Sequence, residues 1–160
     1  MMRSITQLEH IKNELSEREH SLFNRYYRVD KATGRLQVPE GMRSWIANNF
    51  GALEAVVEQQ IVKVTNLLTM EGALFNGLRA SRPMTVADGE SMETIIEKSS
   101  GDSFCRPETD TPEDIFGRIR GKYCTTASNI AKYDGYHGIV IFDEHHPLRF
   151  DAAQIADYFK

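Results

Sequence analysis

The chain has 160 residues, 41% hydrophobic and 26% charged, with a net charge of −4. That length can bury a real core, and the acidic balance argues against nonspecific binding to nucleic acid or an anionic membrane. No apolar run is long enough to span a bilayer, and the N-terminus MMRSITQLEH carries no apolar h-region of a secretory signal. Two cysteines, Cys105 and Cys124, make no disulfide framework, so a reducing cytoplasm is the expected setting.

Ser4-Ile5-Thr6-Gln7 fits a capping box. Behind it Ile5, Leu8, Ile11, Leu15, Leu22 and Phe23 recur at helical spacing, with a gap at Arg18–Glu19. This predicts one helix ending near Tyr27. The run from Asp30 to Arg35 then reads as a turn. Pro39 suits the first turn of a second helix through Met42, Trp45 and Ile46, which stops at Asn48–Gly51. A third helix is predicted from Ala52 to about Gln60. Residues Ile61–Thr65 are β-branched except for Lys63, which predicts a strand or a helix-to-strand change, although Val56, Val57, Ile61 and Val64 also keep helical spacing.

Residues 70–80 form a mixed segment that runs into Arg79-Ala80-Ser81-Arg82-Pro83. A short helix is predicted within Thr85–Ser100, and a Ser-, Asp- and Pro-rich loop over Ser99–Pro112. Asp110-Thr111-Pro112-Glu113 is placed to cap a short helix containing Ile115 and Phe116. Tyr123–Ile130 and Tyr136–Phe142 are β-rich runs around Lys132-Tyr133-Asp134-Gly135, which predicts an antiparallel hairpin. Pro147 ends the second strand, because it lacks the N–H that a ladder needs. Asp151-Ala152-Ala153-Gln154 opens a last helix of barely two turns.

Several clusters carry possible chemistry. Two guanidinium forks, Arg79 and Arg82, stand three residues apart and suit a phosphate, although surface salt bridges are the commoner role for such a pair. Arg118 and Arg120 are read as the outer face of a strand entering the hairpin. Asp102 and Cys105, with His145 or His146, supply zinc-type ligands, although a lone cysteine is more often a small buried hydrophobe. His137 is read as a core or hydrogen-bonded histidine within its strand, and Cys124 as packing. No P-loop, nucleophile elbow or dinucleotide glycine fingerprint is present.

In order, the chain has Asn66-x-Leu68-Thr69, then Leu78-Arg79-Ala80-Ser81-Arg82-Pro83, then a Phe104-Cys105 loop, then Asn129, and a strand ending Phe142-Asp143-Glu144-His145. This pattern, over about Val64–Phe150, resembles the N-terminal half of galactose-1-phosphate uridylyltransferases and related nucleotidyltransferases and dinucleoside-polyphosphate phosphorylases of the histidine-triad superfamily. The resemblance implies an α+β fold, an antiparallel sheet with flanking helices over residues 52–160, preceded by an N-terminal helical segment over residues 1–51. It also implies that Arg79 and Arg82 contact nucleotide phosphates and that Asn129 contacts the nucleotide. In many members zinc is held by a Cys-x-x-Cys pair and two histidines. Cys105 and His145 match two of those ligands, and Asp102 stands where the first cysteine would be. With one thiolate and one imidazole as anchors, zinc is expected to be absent; if it binds, Asp102, Cys105 and His145 are its ligands.

The family's catalytic His-x-His does not occur in these residues. The expectation is therefore a nucleotide- or nucleotide-sugar-binding half without its own nucleophile, completed by a C-terminal half or by a second copy in a homodimer. The alternative is a non-catalytic interaction or scaffold domain that uses its N-terminal helices as a partner surface.

Overall fold

The computed structural model describes residues 5–82 and 89–160. The predicted capping box at Ser4, Pro83 and the start of the Thr85–Ser100 segment lie outside the described residues.

The predicted first helix is two helices. A 3-10 turn at Ile5–Gln7 leads into α1 (Leu8–Asn13), and Ser16 then starts α2 (Glu17–Tyr26). The capping box belongs to Ser16: the Glu19 amide donates to its hydroxyl at 3.4 Å, and the Ser16 amide donates to the Glu19 carboxylate at 3.0 Å. The gap in the apolar pattern at Arg18–Glu19 marks this new start.

α2 passes directly into β1 (Tyr27–Arg35), so the predicted turn at Asp30–Arg35 is a strand. β1 pairs antiparallel with β2 (Glu58–Asn66), with Val29 opposite Val64 and Arg35 opposite Glu58. Turn-type residues are tolerated there because a continuous ladder satisfies their backbone groups. Gly34 also has a packing reason, since a Cβ at that position would lie 2.7 Å from Cδ of Lys132. β2 pairs antiparallel with β3 (Gly72–Asn76), giving the order β1-β2-β3. At the β2–β3 turn the Asn66 carboxamide oxygen accepts from the Leu68 and Thr69 amides at 2.9 and 3.3 Å.

Between β1 and β2 the chain forms the predicted second helix. A 3-10 turn at Glu40–Met42 follows Pro39 and leads into α3 (Arg43–Phe50), which Gly51 ends with φ of 84°. α4 (Leu53–Val57) is shorter than predicted, because β2 takes the residues from Glu58 onward. The ambiguous Ile61–Thr65 run is thus strand. Leu36, Met42, Ile46, Val56, Leu78 and Ala131 are buried together as one core.

After β3 come a 3-10 turn at Gly77–Ser81, α5 (Met92–Lys98), a further 3-10 turn at Ser103–Cys105 and α6 (Pro107–Asp110). The loop predicted over Ser99–Pro112 therefore contains two short helical turns, one capped by the Asp102 carboxylate and one opened by Pro107 at its first position. No helix forms around Ile115 and Phe116, which are exposed. Instead Asp114 turns inward and is buried, and its neighbour Glu113 bridges Gln37.

The predicted hairpin forms from β4 (Cys124–Ser128) and β5 (Gly138–Phe142), a second antiparallel sheet. Its connection spans residues 129–137, longer than a tight Asp-Gly turn. α7 (Ala152–Tyr158) has the predicted start, a capping box between Asp151 and Gln154. So short a helix depends on docking. The Asp157 carboxylate accepts from the Tyr123 amide at 2.9 Å, and the Tyr158 ring stacks on Phe142 at 3.9 Å. The architecture is a mixed α+β fold with small antiparallel sheets, flanking helices and an N-terminal helical segment. No helix among the described residues is long and apolar enough to cross a membrane.

Candidate ligand cavity and the loop that floors it

The connection between β4 and β5 is buried at its start: Ala131 and Lys132 are 2% and 0% exposed. Backbone in such a place needs partners, and the three-stranded sheet supplies them through side chains. From β2, the Gln59 amide donates to the Ile130 carbonyl at 2.6 Å, and its carboxamide oxygen accepts from the Lys132 amide at 3.1 Å. From β3, Asn76 donates to the Lys132 carbonyl at 2.8 Å. From the following turn, Arg79 donates to the Ala131 carbonyl at 3.1 Å. The ammonium of Lys132 donates to Asp114 at 2.8 Å and to the Gly135 carbonyl at 3.3 Å. The loop closes on itself through Asn129 N–H to the His137 carbonyl at 3.0 Å and Tyr133 N–H to His137 Nδ1 at 3.0 Å.

This anchored loop floors a cavity of about 640 Å³. Trp45 and Phe50 of α3 form one aromatic wall, with ring centroids 5.8 Å apart, and Phe104 of the Ser103–Cys105 turn also lines the space. Ser128, Asn129, Ile130 and Ile139 come from the hairpin, and Arg82 joins from the end of the Gly77–Ser81 turn.

The polar groups facing this cavity are unequal. Asp110 is already engaged, accepting from Arg106 and Thr109 at 2.8 Å each. Asn129 spends its carboxamide oxygen on the Ala131 amide at 3.1 Å, which leaves its NH₂ as the free end. Ser128 is 2% exposed, and its hydroxyl has no hydrogen-bond partner. Buried hydroxyls normally have one. Thr65 and Tyr158 share that condition, but of the three only Ser128 lines the cavity. Arg82 is exposed, and among the described residues its guanidinium has no ion-pair partner.

The sequence-predicted residues divide. Arg82 and Asn129 line one cavity, whereas Arg79 does not. Its guanidinium lies 3.6 Å over the Tyr133 ring, bonds the Tyr133 hydroxyl and holds the Ala131 carbonyl. Cys105 and His145 do meet, with Sγ 3.3 Å from Nδ1. His145 Nε2 is 2.8 Å from the Ile96 carbonyl, which only accepts, so that nitrogen carries the proton and Nδ1 accepts from the thiol. Asp102 instead caps its turn, accepting from the Phe104 and Cys105 amides at 2.9 and 3.2 Å. Among the described residues no three His, Cys, Asp or Glu side chains are grouped to hold a metal ion.

Two other readings change. Arg118 is no outer-face residue: its side chain is 6% exposed, and it donates to the Thr111 and Thr126 carbonyls at 2.6 and 3.0 Å. His137 is hydrogen-bonded as predicted, but it stands in the loop before β5 rather than within the strand. Burial, with Lys132 and Arg79 nearby, holds its imidazole below the usual histidine range. Burial, with Asp157 beside it, pushes the Cys124 thiol up. Trp45 and Ser128 carried no signal of a ligand role in sequence; one read as a helix residue and the other as an ordinary strand serine.

Fold and cavity together define a mixed α+β protein with an aromatic-walled site rich in hydrogen-bond donors. No family model matches the chain, and neither a curated protein nor a solved structure does.

Proposed function

We propose that this chain binds a nucleotide or nucleotide sugar in the cavity between α3 and the hairpin. In this reading it is the nucleotide-holding part of a nucleotidyltransferase or dinucleoside-polyphosphate phosphorylase of histidine-triad type. The observation that carries the reading is the donor inventory. Arg82, the Asn129 NH₂ and the Ser103 and Ser128 hydroxyls are uncommitted polar groups at an aromatic-lined cavity. Two of them are donors only, so they favour a ligand rich in acceptors. The Arg82 fork suits a phosphate, and Trp45 and Phe104 suit a planar base. The order of Arg79-Ala80-Ser81-Arg82, Asn129 and His145 along the chain supports the same reading.

Transfer itself needs an imidazole held at the reacting phosphorus. None of the five histidines lines the cavity, and the two nearest in sequence to the hairpin are engaged, His145 by Cys105 and Ile96 and His137 by the Tyr133 amide. The reading is therefore binding by these residues, with the nucleophile supplied from elsewhere.

Trp45 is the only tryptophan in the chain and lines the cavity, so its fluorescence reports occupancy directly. Titration with nucleoside diphosphates, nucleotide sugars and dinucleoside polyphosphates should give saturable quenching that Arg82→Ala weakens. Unchanged emission for every one of them, with isothermal calorimetry also flat, would reject the reading and favour an interaction domain.

A further inference from the structure

We infer that Arg79 is a positioning residue for the cavity, acting through the Ala131 peptide to aim Asn129, and that Arg82 alone of the two makes the phosphate contact. The inference rests on the nucleotide reading above for the ligand, but not for the geometry. Ala131 is gripped on both sides. Its carbonyl accepts from Arg79 Nη1 at 3.1 Å, and its N–H donates to the Asn129 carboxamide oxygen at 3.1 Å. A carboxamide so engaged can present only its NH₂ to a ligand. Arg79 thereby sets which end of Asn129 the cavity sees.

The guanidinium is not free to do anything else. Its second nitrogen bonds the Tyr133 hydroxyl, and its plane rests on the Tyr133 ring with 3.6 Å from Cζ to the centroid. Moving it to a phosphate would abandon three contacts and leave the Ala131 carbonyl, in a 2% exposed residue, without that donor. Arg82, three residues on and without such ties, can turn to an anion at no such cost.

The test compares Arg79→Ala, Tyr133→Ala and Arg82→Ala in the full chain, each checked for folding by circular dichroism. Tyr133 is 43% exposed, so its variant keeps the question open if Arg79→Ala does not fold. Hydrogen exchange at the Ala131 amide is read by NMR. It should speed up about tenfold or more in Arg79→Ala, rise less in Tyr133→Ala and stay unchanged in Arg82→Ala. Trp45 fluorescence is then read with a nucleoside and with its diphosphate. Arg82→Ala should weaken only the diphosphate, whereas Arg79→Ala should weaken both by the same factor. Unchanged Ala131 exchange in both the Arg79 and Tyr133 variants, or loss confined to the diphosphate in Arg79→Ala, would overturn the positioning role. If the native chain binds neither probe, the nucleotide reading falls, while Ala131 exchange still decides the role of Arg79.

Discussion

Lys132 Nζ lies 2.8 Å from the Asp114 carboxylate, with the lysine fully buried and the aspartate 6% exposed. The pair joins the hairpin loop to the segment after α6, while the Lys132 stem crosses Gly34 of β1. Breaking a buried pair from one side strands the other charge. Asp114→Ala should therefore cost about 3–5 kcal/mol. The double variant Lys132→Met with Asp114→Leu should cost less than that single change. Urea denaturation of the three proteins checks the order.

Gly34 tests the same crossing from the other side. A methyl there meets a lysine stem that its ion pair holds in place. Gly34→Ala should destabilise by about 1–3 kcal/mol, read as a lower denaturation midpoint. Combining it with Lys132→Ala should cost less than the sum of the two, because the Lys132 stem is then gone.

Ser128→Ala separates folding from binding. The buried hydroxyl has no partner to lose, so removing it should leave stability unchanged or raise it by roughly 1 kcal/mol. Ligand affinity by Trp45 quenching should fall about tenfold, the size of one neutral hydrogen bond. A loss of stability with unchanged affinity would place the hydroxyl outside the site.

His137 gives the cavity loop an acid dependence. Its folded pKa lies below the usual value, so on acidification the unfolded chain takes the proton first. The stability involved is present above the unfolded pKa of about 6.5 and is lost as pH falls below it. Protonation would also remove the Nδ1 acceptor from the Tyr133 amide. Denaturation midpoints should drop between about pH 7.5 and about pH 5.5, and His137→Asn should flatten that slope.

The two cysteines should separate by rate. Cys105 is exposed beside His145, while Cys124 is half-buried with its thiol pushed up by burial and Asp157. The thiolate is the reactive form. Peptide mapping after brief exposure to a thiol-disulfide reagent at neutral pH should find Cys105 modified first, with Cys124 catching up only at alkaline pH. Equal rates would contradict the buried setting of Cys124.

The sequence by itself determined the elements whose signals are local. Pro39 and Gly51 bracket α3, Asp151 and Gln154 open α7, and the β-rich runs around Asp134-Gly135 give the hairpin. Each rests on backbone chemistry within a few residues. Tertiary structure decided the rest, because the controlling partners lie far along the chain. The Asp30–Arg35 segment has turn composition and became a strand, since β2 offered it a full ladder and Gly34 made room for Lys132. Arg79 and Arg82 look equivalent in sequence. Only the distant Ala131 and Tyr133 distinguish them, holding one guanidinium against the hairpin loop and leaving the other at the cavity. Gln59 and Asn76 carried no site signal at all, yet they satisfy the loop that aims Asn129. A buried backbone group needs a partner from wherever the fold can supply one, and one-dimensional pattern does not carry that information.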